Sequence, residues 1–237
     1  MSEFSDLHIH ALFGVDDGAK TEEDMHAIIE AAYSDGTRTF CLTPHYHPGY
    51  FGENAQSSLE VFEKLKSYCA EKHPDVKLAI GNELRYSQAC VSWVAEGKCR
   101  GLNGTKRILI DFYEGEKSEV ILKALHGILN SGFMPILAHA ERYPALHNFS
   151  EIARLRSDGI AIQLDAASVT GGYGFGAKLR SRKLLKLGLA DIVSSDAHNI
   201  TSRPPQMSDC YEYIAKNYGK GYARALCCDN GLEILGF

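Results

Sequence analysis

The sequence predicts an α/β fold, a closed parallel barrel in one domain, and three observations carry that expectation. Short β-branched or apolar runs alternate with longer stretches of helical spacing seven times over, which calls for a parallel sheet covered by helices. Histidines and carboxylates stand at or just past the C-terminal ends of six of those seven runs. A closed barrel brings such ends together on one face, where barrel enzymes build their sites, whereas the outer strands of an open sheet could not reach a common point. Residues 1–237 contain no internal repeat, low-complexity segment or linker, so the chain reads as a single domain.

The first strand is expected over Ser5–His10. Thr21 is a plausible N-cap for the helix that follows, because Glu22, Glu23 and Asp24 suit the positive end of its dipole, and Gly36 ends it. Next come strand Thr37–Thr43, helix Ala55–Glu71, strand Val76–Gly81, a short helix near Gln88–Glu96, strand Arg107–Phe112 and helix Ser118–Asn130, which Gly132 caps. Strand Phe133–Ala138 leads to helix Phe149–Ser157, closed by Gly159, and then to strand Ile160–Leu164. Helix Ala177–Leu187, strand Ala190–Ser195 and helices near Ser208–Asn217 and Tyr222–Cys228 complete the pattern.

A net charge of -5 argues against a broad nucleic-acid surface. The longest apolar runs are too short to insert in a membrane, and no signal-peptide pattern opens the chain, so the expected location is cytoplasmic. The seven cysteines include no C-x-x-C pair and read as buried small hydrophobes.

The strand-end groups are His8 and His10, Asp16 and Asp17, His45 in TPHYH, Glu83 in GNEL, Asp111 in LIDF, His139 in LAHAERY, and Asp196 and His198 in SSDAH. Residues i and i+2 of a strand share a face, so His8 and His10 can bind one ion together, and Asp196 and His198 repeat that spacing. Imidazoles and carboxylates without cysteine form a ligand set for Zn, Mn or Fe. Asp17, Glu83, Asp111 and Asp196 would repel one another in a low-dielectric mouth unless cations were bound there. Three divalent ions would more than neutralise them and attract a phosphate dianion.

H-x-H near the N-terminus, TPH, an isolated Glu, LAH and a final DAH resemble the PHP (polymerase and histidinol phosphatase) superfamily. More narrowly, HIH...VDDGAKT, GNELRY, HAERYP and SDAHNITSRPP resemble the PHP-type bacterial protein-tyrosine phosphatases linked to capsule and exopolysaccharide synthesis. The resemblance runs from about Asp6 to Pro205 and implies a distorted (β/α)7 TIM-like barrel with three divalent metal ions, Mn first, with Fe or Zn as alternatives. Carried over by position, it implies that His8, His10, Glu83 and Asp196 hold one ion and that Glu83 bridges to a second, which also takes Asp111 and His139. Asp17, His45 and His198 would hold a third. Asp111 stands where such proteins usually have Glu, and Phe13 and Ala140 stand where proline is common. The implied substrate is a phosphotyrosine protein, such as the tyrosine-rich tail of a bacterial tyrosine kinase.

The expected chemistry is direct attack by metal-bound hydroxide, with Arg142 and Arg203 clamping the phosphate and His45 or His198 assisting as acid. Two other phosphatase chemistries are excluded by spacing: no cysteine is followed six residues later by arginine, which removes the C-x5-R loop of cysteine-dependent tyrosine phosphatases, and no D-x-D occurs, which removes the haloacid-dehalogenase-type nucleophile. GGYGFGAK, Gly171 to Lys178, reads as a mobile loop at the mouth that offers Tyr173 and Phe175 to substrate. His26, His47, His73, His126 and His147 read as ordinary surface or hydrogen-bonded residues, and Asp16 as a turn residue whose loss should cost far less than that of Asp17. The alternatives are a small-molecule phosphatase, such as one for histidinol phosphate, and an inactive barrel that binds a partner.

Overall fold

The computed structural model describes residues 3–51 and 55–237. β1 (Phe4–Ile9) is followed by α1 (Glu22–Asp35), whose N-cap Thr21 forms a reciprocal capping box with Asp24 and whose C-cap Gly36 takes the left-handed conformation that suits glycine. Then come β2 (Thr37–Leu42), β3 (His45–Tyr46), α2 (Ala55–Lys72), β4 (Lys77–Ile80), β5 (Glu83–Arg85), α3 (Cys90–Ala95), β6 (Arg107–Asp111) and α4 (Ser118–Asn130). β7 (Met134–Leu137), α5 (Phe149–Ser157), β8 (Ala161–Asp165), α6 (Ala166–Thr170), α7 (Gly174–Lys186) and β9 (Ile192–Ser194) follow. α8 (Ser208–Tyr218), α9 (Lys220–Arg224), a π-helical turn (Ala225–Asp229) and α10 (Asn230–Leu235) end the chain.

Among the described residues the named strands pair in parallel, in ladders β1-β2-β4 and β3-β5-β6-β7-β8-β9, with a lone antiparallel bridge between His47 and Phe51. The ladders are joined where β2 runs into β3 and β4 into β5: Gly81 N–H donates to the Leu42 carbonyl at 2.9 Å, and Glu83 N–H to the Pro44 carbonyl at 3.3 Å. At the other seam Ile9 bridges to Ala197, with Asp196 N–H donating to the His8 carbonyl at 2.9 Å and His10 N–H to that of Ala197 at 2.8 Å. The sheet is therefore curled. One apolar cluster joins Leu7, Cys41, Ala79, Leu109, Ile136 and Ile192 from six strands with Leu102 and with Ile234 and Leu235 of α10, a grouping that a flat sheet would hold apart. Two further clusters pack α1 and α2 on one flank and α4, α5 and α8 on the other.

Several expectations change. Gly171–Lys178 is a turn leading into α7, which starts at Gly174 rather than Ala177. α6 has no counterpart in the sequence pattern, since it starts at Ala166 directly after β8 with no spacer to mark it. Ser131, not Gly132, is the C-cap of α4, with Gly132 at φ 84° just beyond it. The last helical stretch runs to Leu235 rather than stopping at Cys228. All seven cysteines are buried and free, as expected. Among the described residues no helix is long and apolar enough to cross a membrane.

Candidate metal centre

The strand ends converge on a cleft of about 300 Å³, lined by Asp17, His45, Glu83, Asp111, His139 and Asp196 and by the guanidinium groups of Arg85, Arg142 and Arg203. All nine residues expected to hold metal meet here. Three sets present ligand atoms within 4.8 Å of one another: His8, His10 and Asp196; His10, Asp17, His45 and His198; and His45, Glu83 and Asp111. His139 approaches Glu83 Oε1 at 3.0 Å and Asp111 at 3.8 Å. Two of these residues, His139 (φ 34°) and Asp196 (φ 53°), adopt the left-handed backbone that non-glycine residues avoid, a strain that collects at functional sites.

The hydrogen bonds fix how the first pair faces inward. His10 Nδ1 lies 2.7 Å from Asp16 Oδ2, an ionised acceptor, so Nδ1 carries the proton. His8 Nδ1 faces Gln163 Oε1 at 3.3 Å, and that amide oxygen also accepts the His139 N–H at 2.8 Å, so Nδ1 of His8 donates as well. Both histidines thus turn their Nε2 atoms to one point, 3.1 Å apart. Glu83 Oε2 sits 3.2 Å from the first and 3.3 Å from the second, and Asp196 Oδ1 3.3 and 3.5 Å away. Two imidazole nitrogens and two carboxylate oxygens meeting at one point call for positive charge between them, which a metal cation supplies to neutral imidazoles. Glu83 Oε2 and His198 Nε2 are also buried without a hydrogen bond. The residues present fit divalent metal ions.

Without a metal ion, protons take up part of that role. Burial opposes a charged His8, but Glu83 and Asp196 outweigh it and push the group up to about 9. For Asp196, burial favours the neutral acid, yet His8, Arg142 and Arg203 hold the carboxyl below its ordinary range. Burial, joined by His10, pushes His198 down to about 4, leaving a neutral imidazole suited to ligation and a poor proton donor. Asp111 is raised to about 7 by burial and by Glu83, against the pull of Arg85 at 2.7 Å.

Asp16 lies in the turn after β1 and in none of the three ligand sets, as expected, but it is not a passive turn residue. It is buried, holds His10, and accepts the backbone N–H groups of Gly18 (2.9 Å) and His45 (3.0 Å), while the half-exposed Asp17 lies 3.4 Å from both His45 and His198. Gly18 permits this loop, since a Cβ there would stand 2.0 Å from the His10 carbonyl oxygen. The expected gap between the losses of Asp16 and Asp17 therefore narrows: one orients a ligand, the other would be a ligand.

Arg142 and Arg203 reach Asp196 Oδ2 at 2.7 and 2.6 Å, so that carboxylate gives one oxygen to the histidine pair and the other to two guanidiniums. Tyr173 lies beneath Arg142, 3.8 Å from its ring centroid, and its hydroxyl accepts from Arg203 Nε at 3.0 Å. It is thus a support for the arginines, and Phe175 is exposed outside the cleft. Arg85, Gln163, Asp165 and Tyr143, whose hydroxyl lies 3.1 Å from Asp111 Oδ1 and 3.2 Å from His139 Nδ1, carry no sequence signal, because only distances between elements reveal them. Of the other histidines, His26 stacks on Tyr68, His73 pairs with Glu30, His126 pairs with Asp158 and His147 is exposed. His47 lies near the mouth, 3.4 Å from the Tyr113 hydroxyl.

Comparison with known proteins bears on this geometry. The family described as "Capsular polysaccharide synthesis, CpsB/CapC" matches residues 4–236. Tyrosine-protein phosphatase CpsB of Streptococcus pneumoniae is 34% identical over 236 residues, 97% of each chain, and tyrosine-protein phosphatase YwqE of Bacillus subtilis is 28% identical over 90% of this chain and 85% of its own. A solved structure from work on YwqE and CpsB, described as unique metal-dependent tyrosine phosphatases, superposes with a TM-score of 0.88 at 28% identity, covering 98% of this chain and 94% of the other. Histidinol phosphate phosphatase of Lactococcus lactis, complexed with zinc, L-histidinol and phosphate, shares the fold at a TM-score of 0.61 and 15% identity, covering 93% of this chain and 94% of its own.

Proposed function

The chain belongs to the CpsB/CapC family of capsular polysaccharide synthesis, and from that premise we propose that it is a metal-dependent protein-tyrosine phosphatase. The observation that carries the reading is the meeting of His8, His10 and Asp196 at one point beside two guanidiniums, a cation site next to an anion site. The inferred architecture is a distorted (β/α)7 barrel over 1–237, with β2 and β3 as one stave, β4 and β5 as another, and the Ile9–Ala197 bridge closing it.

His8, His10, Glu83 and Asp196 would hold a first ion, Glu83, Asp111 and His139 a second, and Asp17, His45 and His198 a third, with Mn, Fe or Zn compatible with the donor set. Divalent ions in such a centre lower the pKa of water toward neutrality and offset charge on the phosphoryl oxygens. The chain itself supplies orientation. Arg142 and Arg203, fixed by Asp196 and Tyr173, present planar donors to phosphate oxygens. His45 and His198, the two candidate acids, both stand among the ligands proposed for the third ion, and phenolate is a fairly good leaving group that needs little proton assistance. The proposed target is a phosphotyrosine tail of a bacterial tyrosine kinase, met in the cytoplasm.

Initial rates with Mn²⁺ on a phosphotyrosine peptide and on histidinol phosphate test this. A clear preference for the peptide is expected. A preference for histidinol phosphate would instead make this a small-molecule phosphatase.

A further inference from the structure

β8 carries two polar side chains in its buried interior face, Gln163 and Asp165, neither of which lines the cleft. At i and i+2 they point the same way. Gln163 makes four contacts: Oε1 accepts from His139 N–H at 2.8 Å and faces His8 Nδ1 at 3.3 Å, while Nε2 donates to Asp165 Oδ1 at 2.9 Å and to the Leu164 carbonyl at 3.0 Å. Two obligate acceptors on one side and an obligate donor on the other allow a single orientation of this amide. Asp165 Oδ2 pairs with an Arg142 terminal nitrogen at 2.6 Å, the same nitrogen that reaches Asp196. Asp165 is also the N-cap of α6, yet its carboxylate makes no capping bond, having been turned inward to these partners.

We propose that Gln163 and Asp165 are positioning residues that couple the two halves of the site: Gln163 fixes the His8 tautomer that aims Nε2 at the metal point, and Asp165 holds the Arg142 guanidinium against the phosphate position. The chain His8, Gln163, Asp165, Arg142 joins cation site to anion site without touching substrate. Gln163 serves as the outer partner that a ligating imidazole needs on its second nitrogen. The claim rests on the metal-centre reading above.

The test is calorimetric titration of the metal-free full chain with MnCl₂, with steady-state kinetics on p-nitrophenyl phosphate. Gln163→Leu is expected to weaken the tightest Mn²⁺ step by about 10- to 100-fold. Asp165→Asn is expected to leave that step in place and to raise KM by about tenfold, with kcat changed less, as fits loss of one close buried ion pair. The double variant Gln163→Glu with Asp165→Asn keeps an oxygen for His8 and His139 and lets the introduced amide donate to the introduced carboxylate. It should recover most of the Mn²⁺ affinity, and it keeps the test open if Gln163→Leu does not fold. Equal affinity in the wild type and Gln163→Leu, a folded double variant that stays weak, or an unchanged KM in Asp165→Asn each overturns the assignment. A wild-type chain that binds no Mn²⁺ overturns the metal-centre reading itself, and this inference with it.

Discussion

Asp196→Asn is expected to lower kcat/KM on a phosphotyrosine peptide by about 10²-fold or more, since loss of a ligand should cost at least the 10- to 100-fold that loss of a ligand's supporting partner costs. The exchange isolates charge. Asn is close in size, and it tolerates the positive φ that residue 196 holds, so the backbone should stay in place. What disappears is an anion whose Oδ1 faces His8 and His10 and whose Oδ2 anchors Arg142 and Arg203. Two guanidiniums are left buried beside a neutral amide, and the first ion loses a ligand. Steady-state kinetics with Mn²⁺ check this, and a loss below tenfold would mean that Asp196 is a structural counter-ion to the arginines rather than part of the metal centre.

Glu83→Gln is expected to remove more than one ion per chain. Glu83 Oε2 lies within 3.3 Å of His8 and His10 and 2.8 Å from His45 Nδ1, while Oε1 lies 3.0 Å from His139 Nε2, so the two oxygens address different ligand sets. An amide can supply one oxygen and turns two N–H donors toward imidazoles or metal, which defeats bridging. Asp17→Asn, altering a half-exposed carboxylate that belongs to one ligand set, with His10, His45 and His198, should remove one ion at most. Elemental analysis of the reconstituted variants separates the two. Equal ion losses would show that Glu83 does not bridge.

The metal-binding shell was legible in the sequence because it is local. Each ligand stands at a strand end in its own short motif, and the alternation of strand and helix places those ends on one face. The curled sheet was legible for the same reason, although its interruptions were not. Pro44 lacks the N–H that would continue β2 into β3, and Gly81 gives way to Leu102, against which a Cβ would lie at 2.6 Å. The supporting shell was hidden because it is non-local. Asp16 looked like a loop acid until its carboxylate was seen against His10, and Gln163 and Asp165 look like unremarkable strand residues until β1, β7 and β8 are laid side by side. Arg85 follows Glu83 by two positions and reaches Asp111 on the next strand, a pairing set by register. The glycines of GGYGFGAK suggested mobility, yet the segment turns at Gly171 and enters a helix, bringing Tyr173 under the two arginines.

The central claim, a metal-dependent tyrosine phosphatase, is tested most directly by counting ions in the Mn²⁺-reconstituted chain and measuring phosphotyrosine-peptide hydrolysis on the same sample before and after chelation. About three ions per chain are expected, with hydrolysis lost to the chelator and regained on adding Mn²⁺. Fewer than about two ions, with a rate the chelator leaves unchanged, would contradict it.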